Sequence, residues 1–145
     1  MISIPRRFRA SSALASVAIA GCARPGGDAM LRPVCAPNDA AAVMLQVPGV
    51  ADAEHPYFRL RIERPLGQVA RTHVVVRDPD AAGPSAEWCG ADGCSVVRSG
   101  ATTADFGAMR GDSSVPVHLR SARPDGTRFE WSGVARWKGE TLVCG

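Results

Sequence analysis

The chain has 145 residues, 46% of them apolar, with 17 basic and 14 acidic side chains and a formal charge of +3. That length suits one domain. Arg6, Arg7 and Arg9 crowd the first nine residues, and the remaining basic residues match the acids in number. They are scattered and interleaved with acids, so the basic face or stripe of a nucleic-acid binder is not expected.

The first segment reads as an address. Arg6, Arg7 and Arg9 form a positive start, an apolar run continues from Ala10 to Gly21, and small residues precede Cys22. That order is a secretory signal peptide. The apolar run, about 12 residues, is too short for a membrane span of about 20. Ile19-Ala20-Gly21-Cys22 also resembles the lipobox of bacterial lipoproteins. The resemblance implies cleavage after residue 21, lipidation of the Cys22 thiol and a membrane anchor. Ala23 rather than aspartate after the cysteine implies, by the same resemblance, the outer membrane, facing the periplasm. The alternative is a cut after Ala18-Ile19-Ala20, which would release a soluble secreted or periplasmic protein.

Residues 1–21 are thus the expected signal peptide, 22–34 the lipid anchor and a flexible Pro/Gly-bearing tether, and 35–145 the domain. The five cysteines are Cys22, Cys35, Cys89, Cys94 and Cys144. Lipidation of Cys22 leaves four, an even set for an oxidising compartment. They admit three pairings. Cys89–Cys94 would clamp a Gly90-Ala91-Asp92-Gly93 hairpin, and Cys35–Cys144 would tie the first ordered segment to the last. A redox or metal pair is the other reading of Cys89-x4-Cys94.

After Cys35 the pattern is β. Ala42 to Val47 is a short apolar strand. Phe58, Leu60 and Ile62 alternate with Arg59, Arg61 and Glu63, the period-2 signature of a half-buried strand. Val69 to Arg77 is β-branched and ends at the Asp78–Pro84 loop. Glu87 to Ser99 predicts two short strands. Val115, Val117 and Leu119 alternate with polar neighbours, and Asp125-Gly126 is a hairpin signal. Phe129, Trp131, Gly133, Ala135 and Trp137 then share one face, and Thr141 to Cys144 follows a turn at Lys138-Gly139. These spacings predict an all-β domain with two disulfides: a small antiparallel sandwich or barrel with a C-terminal three-stranded meander. Gly133 is expected at a bulge or bend.

Catalytic motifs do not emerge. His55, His73 and His118 stand in no metal-ligand spacing, and no nucleophile elbow or phosphate loop appears. No cofactor, metal or catalytic residue is therefore assigned, and an enzyme is not expected. Trp88 beside Cys89 is either core packing or, at a loop tip, an anchor for a partner.

Trp137-Lys138-Gly139 with Thr141-Leu142 resembles the C-terminal motif of the periplasmic and lipoprotein inhibitors of c-type lysozyme. That resemblance implies a small disulfide-bonded β-barrel in which Lys138, the chain's only lysine, enters an acidic cleft. Ser121 would supply the partner segment. In place of the family's serine-glycine-x-x-tyrosine pattern stands Ser121-Ala122-Arg123-Pro124-Asp125-Gly126. The leading expectation is a membrane-anchored protein-binding module with a protein partner in the envelope. Inhibition of, or immunity against, a cell-wall hydrolase and an accessory role in an envelope assembly are the alternatives.

Overall fold

Alternating apolar and polar side chains turn most of the chain into strands, as the computed structural model shows for residues 28–48, 57–77, 83–98, 102–140 and 142–144. The strands are β1 (Ala29–Cys35), β2 (Ala41–Pro48), β3 (Tyr57–Ile62), β4 (His73–Val76), β5 (Ser85–Gly90), β6 (Gly93–Val96), β7 (Thr102–Phe106), β8 (Ser114–Ala122) and β9 (Arg128–Trp137). A single 3-10 turn, Leu66–Gln68, precedes β4. All nine strands form one sheet in the order β4-β7-β8-β9-β1-β2-β3-β5-β6. Every neighbouring pair is antiparallel except β1 and β9, which run parallel.

The sheet curls into a half-barrel, resolving the sandwich-or-barrel alternative. Its inner face is the apolar phase of each strand: Leu31, Leu45, Leu60, Ala104, Leu119 and Ala135 are all fully buried. The curl is visible in an aromatic cluster. Trp88 on β5 meets Phe129 on β9 edge-to-face at 4.8 Å, although β1, β2 and β3 lie between them in the sheet. Phe58 completes the trio, 5.7 Å from Trp88 and 6.0 Å from Phe129.

Both expected disulfides are present, Cys35–Cys144 and Cys89–Cys94. The second links residues directly opposite one another in the β5–β6 hairpin. The tether expected over 22–34 is shorter than that, because Ala29–Cys35 is β1. Pro33 and the preceding Pro-Gly pair obscured this strand, but it pairs with β2 on one side and β9 on the other. Its burial fixes it: Ala29 and Leu31 are fully enclosed. Cys22 and residues 1–27 lie outside the described residues. Within Val69–Arg77 only His73–Val76 is strand, since Val69–Arg71 turns with Arg71 in the left-handed region at φ 58°. β7 carries no sequence signal of a strand, because its inward residues include Thr102 and Ala104, too small or polar to mark a core strand.

The C-terminal meander is β7–β8–β9. The last strand expected over Thr141–Cys144 is not formed at Leu142–Cys144, the described part of that segment. The edge of β9 it would have filled is taken by β1, through the Ala29↔Ala135 to Leu31↔Trp137 register.

Gly133 does not break its strand; it pairs with Val117 in unbroken register. It is glycine because the Trp131 indole lies over it: an added Cβ would stand 2.5 Å from Trp131 Cζ2 and 2.8 Å from Cη2. Trp131 is only 2% exposed and has nowhere to swing. Gly133→Ala is therefore expected to cost about 2–3 kcal/mol, the upper part of the overpacking range. Urea unfolding checks this, and an unchanged midpoint would mean that the indole relocates freely.

Candidate partner-binding site

Strand direction creates one rim of the half-barrel. β1 and β9 run parallel toward this rim, with β9 ending opposite Leu31 and β1 continuing to Cys35; β3 finishes beside the start of β2, and β2 starts opposite the end of β1. Pro33, Val34, Ala42, Leu66, Trp137 and Leu142 there enclose an apolar cleft of about 260 Å³. The Cys35–Cys144 disulfide closes over the same rim, spanning 109 residues of sequence. It holds the C-terminal segment where burial does not: Leu142 is 49% exposed and Val143 96% exposed.

Lys138 belongs to this rim. Its backbone N–H donates to Leu31 O at 2.8 Å, the last rung of the β1–β9 ladder, and its side chain is exposed. Gly139 follows at φ +115°, packed so that a Cβ would lie 3.3 Å from Pro33 Cδ. Lys138 is thus a cation beside an apolar cleft, on a backbone fixed by a parallel ladder rather than at a hairpin tip.

The other two contact candidates lie inside the molecule. Trp88 is 5% exposed and its indole N–H donates to Ala122 O at 2.7 Å. That is the core-packing alternative, and it removes Trp88 as a surface anchor. Ser121 is 8% exposed, with its hydroxyl 2.7 Å from that of Thr102. Ser121 pairs with Phe129 near the β8–β9 turn, whereas Lys138 lies beyond the other end of β9. At about 3.3 Å per residue the two are separated by roughly 30 Å along the strand. Ser121 and Lys138 therefore do not converge on one surface.

The exposed side chains of β4 and the meander make acid–histidine and acid–arginine hydrogen bonds. His73 Nδ1 lies 2.5 Å from Asp105 Oδ1, and His118 Nε2 lies 2.7 Å from Glu130 Oε1. The His73 hydrogen bond is the main reason Asp105 sits below the usual carboxylate range. Glu130 is lowered in the same way, first by His118 and then by Arg120. Asp112 is lowered chiefly by the Ser114 hydroxyl. Arg136 is raised, mainly by its hydrogen bond to Asp28. These carboxylates are held ionised as partners in cross-strand and loop pairs, and each pair weakens as its acid takes up a proton.

Among the described residues, three side chains of metal-ligand type gather once: Glu87, Cys89 and Cys94 place one ligand atom each within 4.8 Å of one another. No family model, curated protein or solved structure matches the chain. The rim cleft could not be read from sequence, because it needs β1 and β9 side by side, and parallel pairing leaves no local signal.

Proposed function

We propose that the protein is a lipid-anchored envelope lipoprotein that binds another protein through the rim of its half-barrel. The observation that carries this reading is the exposed Leu142–Val143 pair, fixed by a disulfide beside the apolar cleft and Lys138. Exposed aliphatic side chains are costly to maintain against solvent unless a partner covers them. An apolar centre with a charged margin is the anatomy of a protein interface. The covalent clamp pre-organises that surface, so little ordering entropy is lost on binding. Anchorage through Cys22 is supported by the lipobox-like sequence, and the tether before Asp28 keeps the domain near the membrane.

The test is capture of native envelope proteins on the purified protein. We expect one retained partner, with Leu142→Asp weakening retention by about 30-fold, corresponding to a hot-spot loss of about 2 kcal/mol. Cys22→Ser should shift the protein from the membrane to the soluble fraction. Retention insensitive to Leu142→Asp would remove the rim from the interface. If the retained partner is a muralidase whose inhibition disappears in Lys138→Ala, the partner class is a cell-wall hydrolase. If it is an envelope complex, the protein is an accessory subunit.

A further inference from the structure

We propose that Glu87, Cys89 and Cys94 form a redox-gated site for a thiophilic divalent cation of the zinc class, closed while the disulfide is intact and open once it is reduced. The site is independent of the rim and of the partner-binding reading. It lies on the outer face of the β5–β6 hairpin.

The hairpin is held by contacts other than its disulfide as well. Cys89–Cys94 closes a loop of only five residues in sequence separation. Loop-closure stabilisation grows with the length enclosed, so this loop contributes under half as much as the 109-residue loop closed by Cys35–Cys144. Other contacts already fix β5 and β6. Trp88 is buried and hydrogen-bonded to Ala122 O, and Val97 N–H donates to Ala86 O at 2.9 Å. Reduction therefore leaves two thiols still opposed across one antiparallel pair.

That opposition suits a metal. Directly opposite residues carry Cβ atoms about 4.5–5.5 Å apart. Two thiolates at about 2.3 Å from one tetrahedral ion stand roughly 3.8 Å apart, a separation such a pair can reach. Glu87 is two residues before Cys89 on the same face, which brings its carboxylate to the sulfurs. A carboxylate has two oxygens, so one can ligate while Arg59 Nε donates to the other. Charge also balances. Two thiolates and one carboxylate around a dication leave one negative charge, and the Arg59 guanidinium offsets it. The fourth position would be water.

Access to the sulfur is from the sheet edge. β6 is the last strand of the sheet and Cys94 is exposed, whereas Cys89 is 1% exposed. The reductant class is a dithiol. One of its thiolates attacks Cys94 Sγ, the S–S bond breaks, and its electron pair leaves with Cys89 Sγ, which takes up a proton. The second thiolate then attacks the reductant's own sulfur in the mixed disulfide and releases Cys94 as a thiolate, which takes up the dithiol's other proton. Two electrons have passed, the reductant is a disulfide, and the protein holds two thiols. Metal binding displaces their protons to solvent.

The experiment uses the purified full chain, graded dithiothreitol, alkylation followed by peptide mass mapping, and zinc as the probe with a chromophoric competitor. Cys89 and Cys94 should become alkylated while the β-sheet circular dichroism is retained. The reduced chain should then bind one zinc, and the oxidised chain none at this site. Cys94→Ser should weaken binding by at least the roughly 100-fold seen when even outer-shell partners of a metal are disturbed, and Glu87→Gln by roughly 10-fold or more. Cadmium in place of zinc should give thiolate-to-metal absorption that is lost in Cys94→Ser. The proposal is overturned if the pair opens only on global unfolding. It is overturned equally if the reduced chain binds no zinc, or if Glu87→Gln or Cys94→Ser binds as tightly as the parent.

Discussion

Replacing Cys35 and Cys144 together by serine is expected to lower stability by about 4–5 kcal/mol, the loop-closure contribution of a cross-link that spans 109 residues. This is a large fraction of the about 5–15 kcal/mol typical of a folded domain. For a domain of this size it corresponds to roughly 15–20 °C in Tm. Serine itself adds little cost, because Cys35 is exposed and Cys144 only half-buried. The loss has a place as well as a size. Among the described residues, Leu142 is only half-covered by the cleft and Val143 is exposed, so without the disulfide the segment after Lys138 should detach first. Thermal unfolding measures the size, and amide exchange measures the place. A Tm shift of only a few degrees would mean that packing, not the cross-link, holds the last segment against β1.

The second large effect belongs to Trp88. Its indole joins three parts of the curl: Phe58 at 5.7 Å, Phe129 at 4.8 Å and the Ala122 carbonyl at 2.7 Å. Trp88→Ala removes the area, both edge-to-face contacts and the hydrogen bond, and is expected to cost about 4 kcal/mol. Trp88→Phe keeps most of the area and leaves Ala122 O without its donor, for about 1–3 kcal/mol. The ordering of the two variants in urea unfolding is the check. Equal losses would assign Trp88's role to the hydrogen bond alone. A Trp88→Ala variant as stable as the parent would mean that the half-barrel is held shut elsewhere.

Both effects concern the closure of one curled sheet, and this sets what could be read in advance. Strands with strict alternation announce themselves. Phe58, Leu60 and Ile62 between charged residues define β3, and Phe129 to Trp137 defines β9, because a pleated strand sends successive side chains to opposite faces. β1 and β7 lack that contrast. β1 carries Pro33 and begins at Ala29, and β7 turns Thr102 and Ala104 inward; both are strands because neighbours on each side complete their ladders. Parallel pairing of β1 with β9 is a contact between the two ends of the domain, with nothing local to mark it.

The candidate site divides the same way. Lys138 stood out as the chain's only lysine next to Trp137 and Gly139, and it is exposed as that position suggests. Trp88 and Ser121 carried equally suggestive neighbours and are buried, since exposure depends on which strands the curl brings opposite. The cleft at the rim has its lining spread over the two ends of the chain and the segment after β3, so no window of sequence contains it.

By itself, then, the sequence determined the β class, most strand positions, an even set of four cysteines suited to two disulfides, and the face that each alternating strand buries. The strands and their buried faces follow from short-range periodicity and turn chemistry, which act within a few residues; which cysteines pair, as in the 109-residue Cys35–Cys144 link, was selected by the fold. The tertiary structure alone decided the half-barrel, the insertion of β1 between β9 and β2, the burial of Trp88 and the rim where Lys138, Trp137 and Leu142 meet. Those depend on which distant strands share a ladder. That choice minimises exposed apolar area and unpaired backbone over the whole sheet at once, so no local segment encodes it.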